Sequence, residues 1–257
     1  MHTAPTITLT AVPDVPQVRP GHDLALILID AIKRADIGLR RQDVLVIAQK
    51  VVSKAQDRFV DLNEVTPSPR AHAFAKEVEK DPRLVEVILS ESTAVLRHRP
   101  GLMICVHRNG FVMANAGVDQ SNVGEDSDNR RVLLLPTDPD ATCGQLKAVV
   151  DERFNTDVGV IINDSSGRPW RIGVVGIALG AAGLPSIRDL CGQQDLFGRP
   201  LMVTWSALAD QLASAASLVM GEGDEGNPLV LIRGVTWSEP EVPAAAILRV
   251  KEQDLFR

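Results

Sequence analysis

The amino-acid sequence predicts a mixed α/β fold with α+β character. Apolar runs typical of strands alternate with runs of helical spacing, but without the strict βαβ repeat of a parallel sheet. An Asn-Gly pair between two apolar runs predicts an antiparallel hairpin. With 257 residues, 45% of them hydrophobic, the chain can bury a sizeable core, as one large domain or as two interlocked ones.

The first half of the chain predicts a strand, several helices and the hairpin. In order, these are a strand (7–12), a Pro-rich loop (12–21), a helix (22–35), a strand that opens the segment 43–55, two helices within 66–92, and hairpin arms at 102–107 and 111–116. Thr66 or Ser68 can cap the first of the paired helices, and the Asp81-Pro82 pair marks the start of the second.

The second half predicts strands that lead into polar or glycine-rich segments. In order, these are a helix (140–154), a strand (157–164), the loop SSGRPWR (165–171), a glycine-rich stretch (172–187), a helix (208–221), the loop EGDEGNP (222–228) and a strand (229–235). The tail from Trp237 onward is polar and contains proline, so we expect a short helix or disorder there. No internal repeat or long linker divides the chain.

Composition excludes several functional classes. The net charge of −6 and the acidic pI of 5.4 are untypical of nucleic-acid binding. Three cysteines, Cys105, Cys143 and Cys191, have neither zinc nor redox spacing, which favours a reducing cytoplasm. The first residues lack a signal-peptide pattern, and the longest charge-free stretch, 172–187, falls short of the roughly 20 apolar residues of a membrane helix. We therefore expect a cytoplasmic protein that binds neither nucleic acid nor membrane.

Oxygen-bearing side chains follow three of the predicted elements. They are Asp119 and Asn122 after the hairpin, Asp164 and Ser165 after the strand VGVII, and Glu222, Asp224 and Glu225 in MGEGDEG. Hard cations such as Mg²⁺ and Mn²⁺ prefer oxygen ligands, although a single aspartate of this kind is more often a capped turn. Because neither Asp119 nor Asp164 has a basic partner nearby in sequence, we expect both to be unpaired without metal. Asp119→Asn should then stabilise the metal-free protein.

Basic residues offer two candidate anion sites. Lys50 and Lys54 in QKVVSK are four residues apart, so they either clamp phosphates or form a solvated pair. Arg168 and Arg171 flank Trp170, where they either bind carboxylate or phosphate or stack in a structural turn. The glycine-rich stretch GIALGAAG has neither GxGxxG nor GKS/T spacing, which argues against a Rossmann or P-loop nucleotide site there. The sequence has no HxxxH or GxSxG pattern, which argues against a zinc site and a serine hydrolase.

Six segments taken in order resemble the coenzyme F420-0:L-glutamate ligase family. They are DVLVIAQKVVSKAQDR, NAGVDQSNV, LLLPTDPDAT, VGVIINDSSGRPWRIGVVGIALGAAG, DLFGRPL and LVMGEGDEGNPLVLIRGV, and the resemblance runs from about residue 7 to residue 235. It implies a family-specific fold of two interlocked subdomains, distinct from Rossmann, P-loop and ATP-grasp folds, that forms an intertwined homodimer. Since the chain ends at Arg257, we expect no C-terminal flavin-binding redox domain.

The resemblance also implies an activity. Members use GTP to activate the terminal carboxylate of a deazaflavin precursor, coenzyme F420-0, as an acyl phosphate. The amine of L-glutamate then attacks to form an amide, and further glutamates extend a γ-glutamyl tail in some members. The reaction requires Mg²⁺ or Mn²⁺, with two ions expected and K⁺ as a further candidate. No catalytic nucleophile from the protein is implied.

The same resemblance assigns roles to individual residues. The metal ligands are Asp119, Asp164, Ser165, where the family usually has threonine, and Glu222. The implied nucleotide contacts are Asp14, Val15, Pro16, Gln17, Gln49, Lys50, Lys54, Asn122, Gly221, Glu222, Gly223, Asp224, Glu225 and Gly226, with Asp14 standing where the family usually has glycine. Two alternatives stay open at this stage: a related amide ligase acting on another carboxylate, and a non-catalytic nucleotide-binding homologue.

Overall fold

A five-stranded mixed sheet forms the centre of the computed structural model, which describes residues 4–123 and 130–256. Its strands are β1 (Thr8–Ala11), β2 (Val44–Ala48), β8 (Gly159–Arg168), β9 (Arg171–Ala182) and β12 (Leu229–Arg233), in the spatial order β1-β12-β2-β8-β9. Only β2 and β8 run parallel, and the other neighbouring pairs are antiparallel. This mixture of pairings confirms the predicted α+β class.

Helices cover both faces of this sheet. On one face lie α1 (Leu24–Arg34) and α5 (Pro139–Phe154), and on the other lies α6 (Leu208–Met220). Successive residues of β2 alternate between the two cores: Leu45 packs beside α1, whereas Val46 packs beside α6. A strand buried on both faces is apolar throughout, which explains the uninterrupted run VLVIA.

A second cluster of elements has its own apolar core. It contains the helices α3 (Pro69–Val78) and α4 (Pro82–Ser90) and the antiparallel strands β4 (Ser92–Arg99), β5 (Leu102–His107) and β6 (Val112–Ala114). Ser68 caps α3 and Asp81 caps α4, as the sequence indicates. The β5–β6 hairpin confirms the Asn-Gly prediction, while β4 was not predicted.

Short elements connect the two cores. The helix α2 (Gln49–Ala55) follows β2 directly, and β3 (Phe59–Asp61) pairs antiparallel with β7 (Arg131–Leu133).

Two further two-residue strands, β10 (Arg188–Asp189) and β11 (Trp205–Ser206), pair with each other. The tail contains 3₁₀ turns at Ala244–Ile247 and Lys251–Gln253. Over the part of the chain that the structure describes, no helix has the length and apolarity to span a membrane.

The prediction of a loop at residues 165–171 is wrong. The strand β8 continues to Arg168 and turns into β9, so both form a long two-stranded ribbon beyond the sheet. The polar sequence SSGR is compatible with a strand here because this part of β8 has a partner only on one side. Arg168 and Arg171 face each other at the ribbon tip, and the exposed ring of Trp170 contacts Phe256. Among residues 4–123 and 130–256, no arginine stacks on Trp170.

Candidate functional site

A cleft of about 800 Å³ opens at the carboxyl end of β2, beside the middle of the parallel strand β8. Ala48 pairs with Asn163, so the residues that follow them in sequence emerge side by side. Ligands of α/β proteins commonly bind at such carboxyl ends of strands. Fourteen of the sequence-predicted site residues line this cleft: Val15, Pro16, Gln17, Gln49, Lys50, Lys54, Asn122, Asp164, Ser165, Gly221, Glu222, Gly223, Asp224 and Gly226.

Asp119 is not unpaired, contrary to the expectation from sequence. The ammonium of Lys50 lies 2.5 Å from its Oδ2, and Oδ1 accepts hydrogen bonds from both the backbone and the hydroxyl of Ser121 at 2.8 Å. Burial raises the pKa of Asp119, but Lys50 and Ser121 outweigh burial and hold that pKa below its usual value. The partner was not recognised because it comes from α2, far away in sequence.

Asp164, in contrast to Asp119, has a raised pKa, because burial outweighs the favourable interactions of its carboxylate. It is half-buried one residue beyond the last pair between β2 and β8, in the middle of the strand rather than at its end. Burial raises the pKa of Asp164 to about 6, assisted by the nearby charges of Asp119 and Glu222 and opposed by Lys50. The carboxylates from three distant segments therefore influence one another electrostatically.

Glu222 reaches this group from the glycine-rich loop after α6. The hydroxyl of Ser165 donates a 2.6 Å hydrogen bond to Oε2 of Glu222. Gly221, which ends α6, adopts a positive φ of 75°, a conformation that glycine tolerates without strain. This turn directs Glu222 toward β8, so the fold joins two predicted metal ligands.

Lys50 and Lys54 both lie on α2, the helix that begins immediately after β2. Lys54 donates a 2.6 Å hydrogen bond to the carbonyl of Asn122, whose side-chain amide donates to the carbonyl of Gly223 at 3.2 Å. Burial lowers the pKa of Lys54, and the like charge of Lys50 lowers it further. Both lysines line the cleft, where Lys50 pairs with Asp119 and Lys54 bonds to Asn122, which argues against a merely solvated pair.

Comparison with known proteins assigns the family. Residues 14–234 match the model of the F420-0:gamma-glutamyl ligase family. The chain belongs to this family. It is 45% identical to the coenzyme F420:L-glutamate ligase of Methanopyrus kandleri, with 98% of each chain covered. The same-named proteins of Methanothermobacter thermautotrophicus and Methanocaldococcus jannaschii are 43% and 40% identical, covering 98% and 84% of this chain and 99% and 84% of theirs.

Of the residues predicted for the nucleotide site of this ligase family, Asp14 and Glu225 lie outside the cleft lining, and the side chain of Gln49 has a partner within the protein. Asp14 adopts a φ of 56° outside the cleft lining, which explains why glycine is expected at this position. Glu225 accepts a hydrogen bond from the backbone of Gly223, so it supports its own loop. Gln49 lines the cleft, but its buried side chain donates to Ser53 at 2.7 Å.

The oxygen donors of this ligase fold fit a hard divalent cation in chemistry. Asp119, Asp164, Glu222 and the Ser165 hydroxyl offer only oxygen, which Mg²⁺ and Mn²⁺ prefer. In residues 4–123 and 130–256, however, no three His, Cys, Asp or Glu side chains are gathered as a ready ligand set. A metal would compete with Lys50 for Asp119, because both carboxylate oxygens already accept hydrogen bonds.

Sequence reasoning missed several residues of the cleft. Asn163 is buried beside Asp164 and donates hydrogen bonds to Ser217 at 3.0 Å and to the sulfur of Met220 at 3.4 Å. It holds α6 against β8, and an asparagine at the end of the apolar run VII was the available signal. Phe59 and Arg131 also line the cleft, but nothing in their local sequence indicates a site.

Proposed function

We propose that this chain is a GTP-dependent ligase that joins L-glutamate to the terminal carboxylate of coenzyme F420-0. The observation that carries the proposal is the convergence of Lys50, Lys54, Asp164 and Glu222 in one cleft, with Asp119 joined to them by its ion pair with Lys50. Such a mixture of carboxylates and ammonium groups suits phosphoryl transfer between anions. Membership of the family, and relatives named coenzyme F420:L-glutamate ligase, support the choice of substrates.

The proposed reaction has two steps. An oxygen of the acceptor carboxylate attacks the γ-phosphorus of GTP, the bond to the β-phosphate oxygen breaks, and GDP leaves. The amine of L-glutamate then attacks the acyl carbon, loses a proton, and expels phosphate with the oxygen that came from the acceptor. This chemistry needs positioning and charge stabilisation more than a nucleophile from the protein.

Individual residues then have distinct roles. Lys50 and Lys54, four residues apart on α2, offer two ammonium groups to the phosphates. Asn122 and Gly223 connect the hairpin segment with the loop after α6, so their hydrogen bond shapes the cleft around a nucleotide. A divalent cation held by Asp119, Asp164, Ser165 and Glu222 would supply positive charge at the transferred phosphoryl group.

We also propose that the protein forms a homodimer. Large apolar side chains are exposed on the β8–β9 ribbon and on the segment between β10 and β11, including Trp170, Ile172, Leu196, Phe197 and Val203. Ile172 and Leu196 are fully exposed. Extended apolar surfaces of this kind commonly mark an interface with another chain. Because the β8–β9 ribbon projects from the sheet, it can pack against a second copy of the chain.

Release of GDP in a coupled assay tests the function. With Mg²⁺ or Mn²⁺, GDP should form only when F420-0 and L-glutamate are both present, and ATP should substitute poorly for GTP. Lys50→Ala should abolish most of this rate, whereas Lys33→Ala, at an exposed position of α1 outside the cleft, should leave it unchanged. GDP release that does not depend on F420-0 would refute the proposed acceptor.

A further inference from the structure

Three adjoining backbone segments lie beside the cleft, and two of them, β3 and β7, line it through Phe59 and Arg131. Leu133 of β7 exchanges backbone hydrogen bonds of 2.9 and 3.0 Å with Asp119, and on its other side it pairs with Phe59 of β3. Directly paired residues of antiparallel segments point to the same face. Arg131 lies two residues before Leu133 and therefore shares this face as well. We call Phe59 and Arg131, which line the cleft, the β3–β7 wall; Leu133 is fully buried, and neither it nor Asp119 lines the cleft.

The spacing of the strands places Phe59 and Arg131 at some distance from Asp119. Neighbouring strands lie about 5 Å apart, so Phe59 is about 10 Å from Asp119 across the sheet, and Arg131 is about 7 Å from Leu133 along β7. Asp119 belongs to the carboxylate cluster, where we place phosphoryl transfer. Phe59 and Arg131 line the same cleft at a distance from that cluster. A ligand on them can extend a terminal carboxylate toward Asp119.

We propose that Phe59 and Arg131 bind the acyl acceptor, with the planar ring of the deazaflavin against Phe59 and an anionic group of the acceptor on Arg131. This inference rests on the proposed function and names the subsite for one of its substrates. Phe59 is half-buried, so its ring is held in place, and Arg131 is exposed at the cleft. Aromatic rings stack on planar ligands, and a guanidinium group pairs with carboxylate or phosphate.

The predicted nucleotide contacts lie on other segments of the cleft than this wall, which favours the acceptor here. Besides Lys50 and Lys54, the cleft is lined by the cations Arg19 and Arg131. Arg19 belongs to the same N-terminal segment as the predicted nucleotide contacts Val15 to Gln17, whereas Arg131 comes from β7. Glutamate has no ring, so an aromatic side chain beside the arginine favours the deazaflavin over the amine donor.

Steady-state kinetics with each substrate varied in turn test this assignment. Arg131→Gln should raise the KM for F420-0 about tenfold or more, because a charge-assisted contact is lost. Phe59→Leu should raise it about threefold to tenfold, because stacking is lost while apolar volume is retained. The KM values for GTP and for L-glutamate should change less than twofold in both variants. Arg130→Gln is the matched control, since Arg130 is exposed next to Arg131 but does not line the cleft.

Direct binding keeps the test decisive if turnover is low. The fluorescence anisotropy of F420-0, titrated with the full chain without nucleotide, should show weaker binding to Arg131→Gln and Phe59→Leu than to wild type and Arg130→Gln, at similar melting temperatures. Unchanged acceptor binding in both variants, or a loss confined to GTP or glutamate, would overturn the assignment. A wild type that binds F420-0 without releasing GDP would refute the proposed function alone.

Discussion

Asparagine at positions 119 and 164 should change the stability of the metal-free protein in opposite directions. Asp119→Asn removes the partner of Lys50, whose ammonium lies 2.5 Å from the carboxylate. Asp164→Asn instead removes a half-buried charge that lies near two other carboxylates. The sequence alone predicts stabilisation at position 119. Because Lys50 neutralises Asp119, we now expect that effect at position 164 and a loss of stability at position 119.

The size of the effect follows from the pKa of Asp164. A rise from 3.8 in the unfolded chain to about 6 in the folded chain corresponds to at most about 3 kcal/mol at neutral pH. Since the folded state holds this proton more tightly, the contribution of Asp164 to stability is greatest below about pH 4 and declines until the pH reaches about 6. Loss of the contact with Lys50 at position 119 should destabilise by about 1–2 kcal/mol.

Thermal melting in EDTA across pH 4–8 measures both variants against wild type. At pH 7.5, Asp164→Asn should melt up to about 6–12 °C higher and lose the decline in stability between pH 4 and 6. Asp119→Asn should melt lower and retain that decline. Both should be inactive with Mg²⁺ or Mn²⁺. If Asp164→Asn melts below wild type at neutral pH, the electrostatic description of the cluster is wrong.

Three further outcomes follow from the structure. Lys54→Ala should weaken GTP binding about tenfold in calorimetry, while loss of its hydrogen bond to Asn122 should lower stability by only about 1 kcal/mol; an unchanged GTP affinity would return Lys54 to a solvated role. Asp140→Asn should destabilise by about 2–4 kcal/mol in urea unfolding, because its carboxylate accepts three backbone amides from β9 and the C-terminal segment. Glu152→Gln, on the exposed side of the same helix, is its control, and equal stability of the two would contradict this role. Light scattering should give twice the 27.7 kDa of one chain, and a monomer at micromolar concentration would refute the dimer.

Local sequence patterns predicted most elements of the fold. The run VLVIA is apolar because both faces of β2 are buried, and Asp81 with Pro82 starts α4, so these elements could be located without the structure. The ribbon of β8 and β9 was mistaken for a loop, since its sequence SSGRPWR has the composition of a turn. Composition does not show that a polar segment continues a strand when that segment pairs with only one neighbour.

The sequence predicted which residues belong to the site, but not which of them contact one another. The resemblance placed Lys50 and Asp119 in one site, yet their ion pair joins segments that are distant in sequence. The same limit applies to Phe59 and Arg131, which share a face only because Phe59 of β3 pairs with Leu133, two residues after Arg131 in β7. Registers between distant strands depend on packing of the whole chain, so local patterns do not predict them.

Transfer of the acceptor's oxygen to phosphate tests the central claim most directly. F420-0 is labelled with a heavy oxygen isotope in its terminal carboxylate and incubated with the protein, GTP, L-glutamate and Mg²⁺ or Mn²⁺. If the carboxylate attacks the γ-phosphorus, each amide formed should release one phosphate that carries a labelled oxygen, and the deazaflavin product should gain one glutamyl residue. Phosphate without label, or labelled oxygen retained in full by the product, would contradict the account.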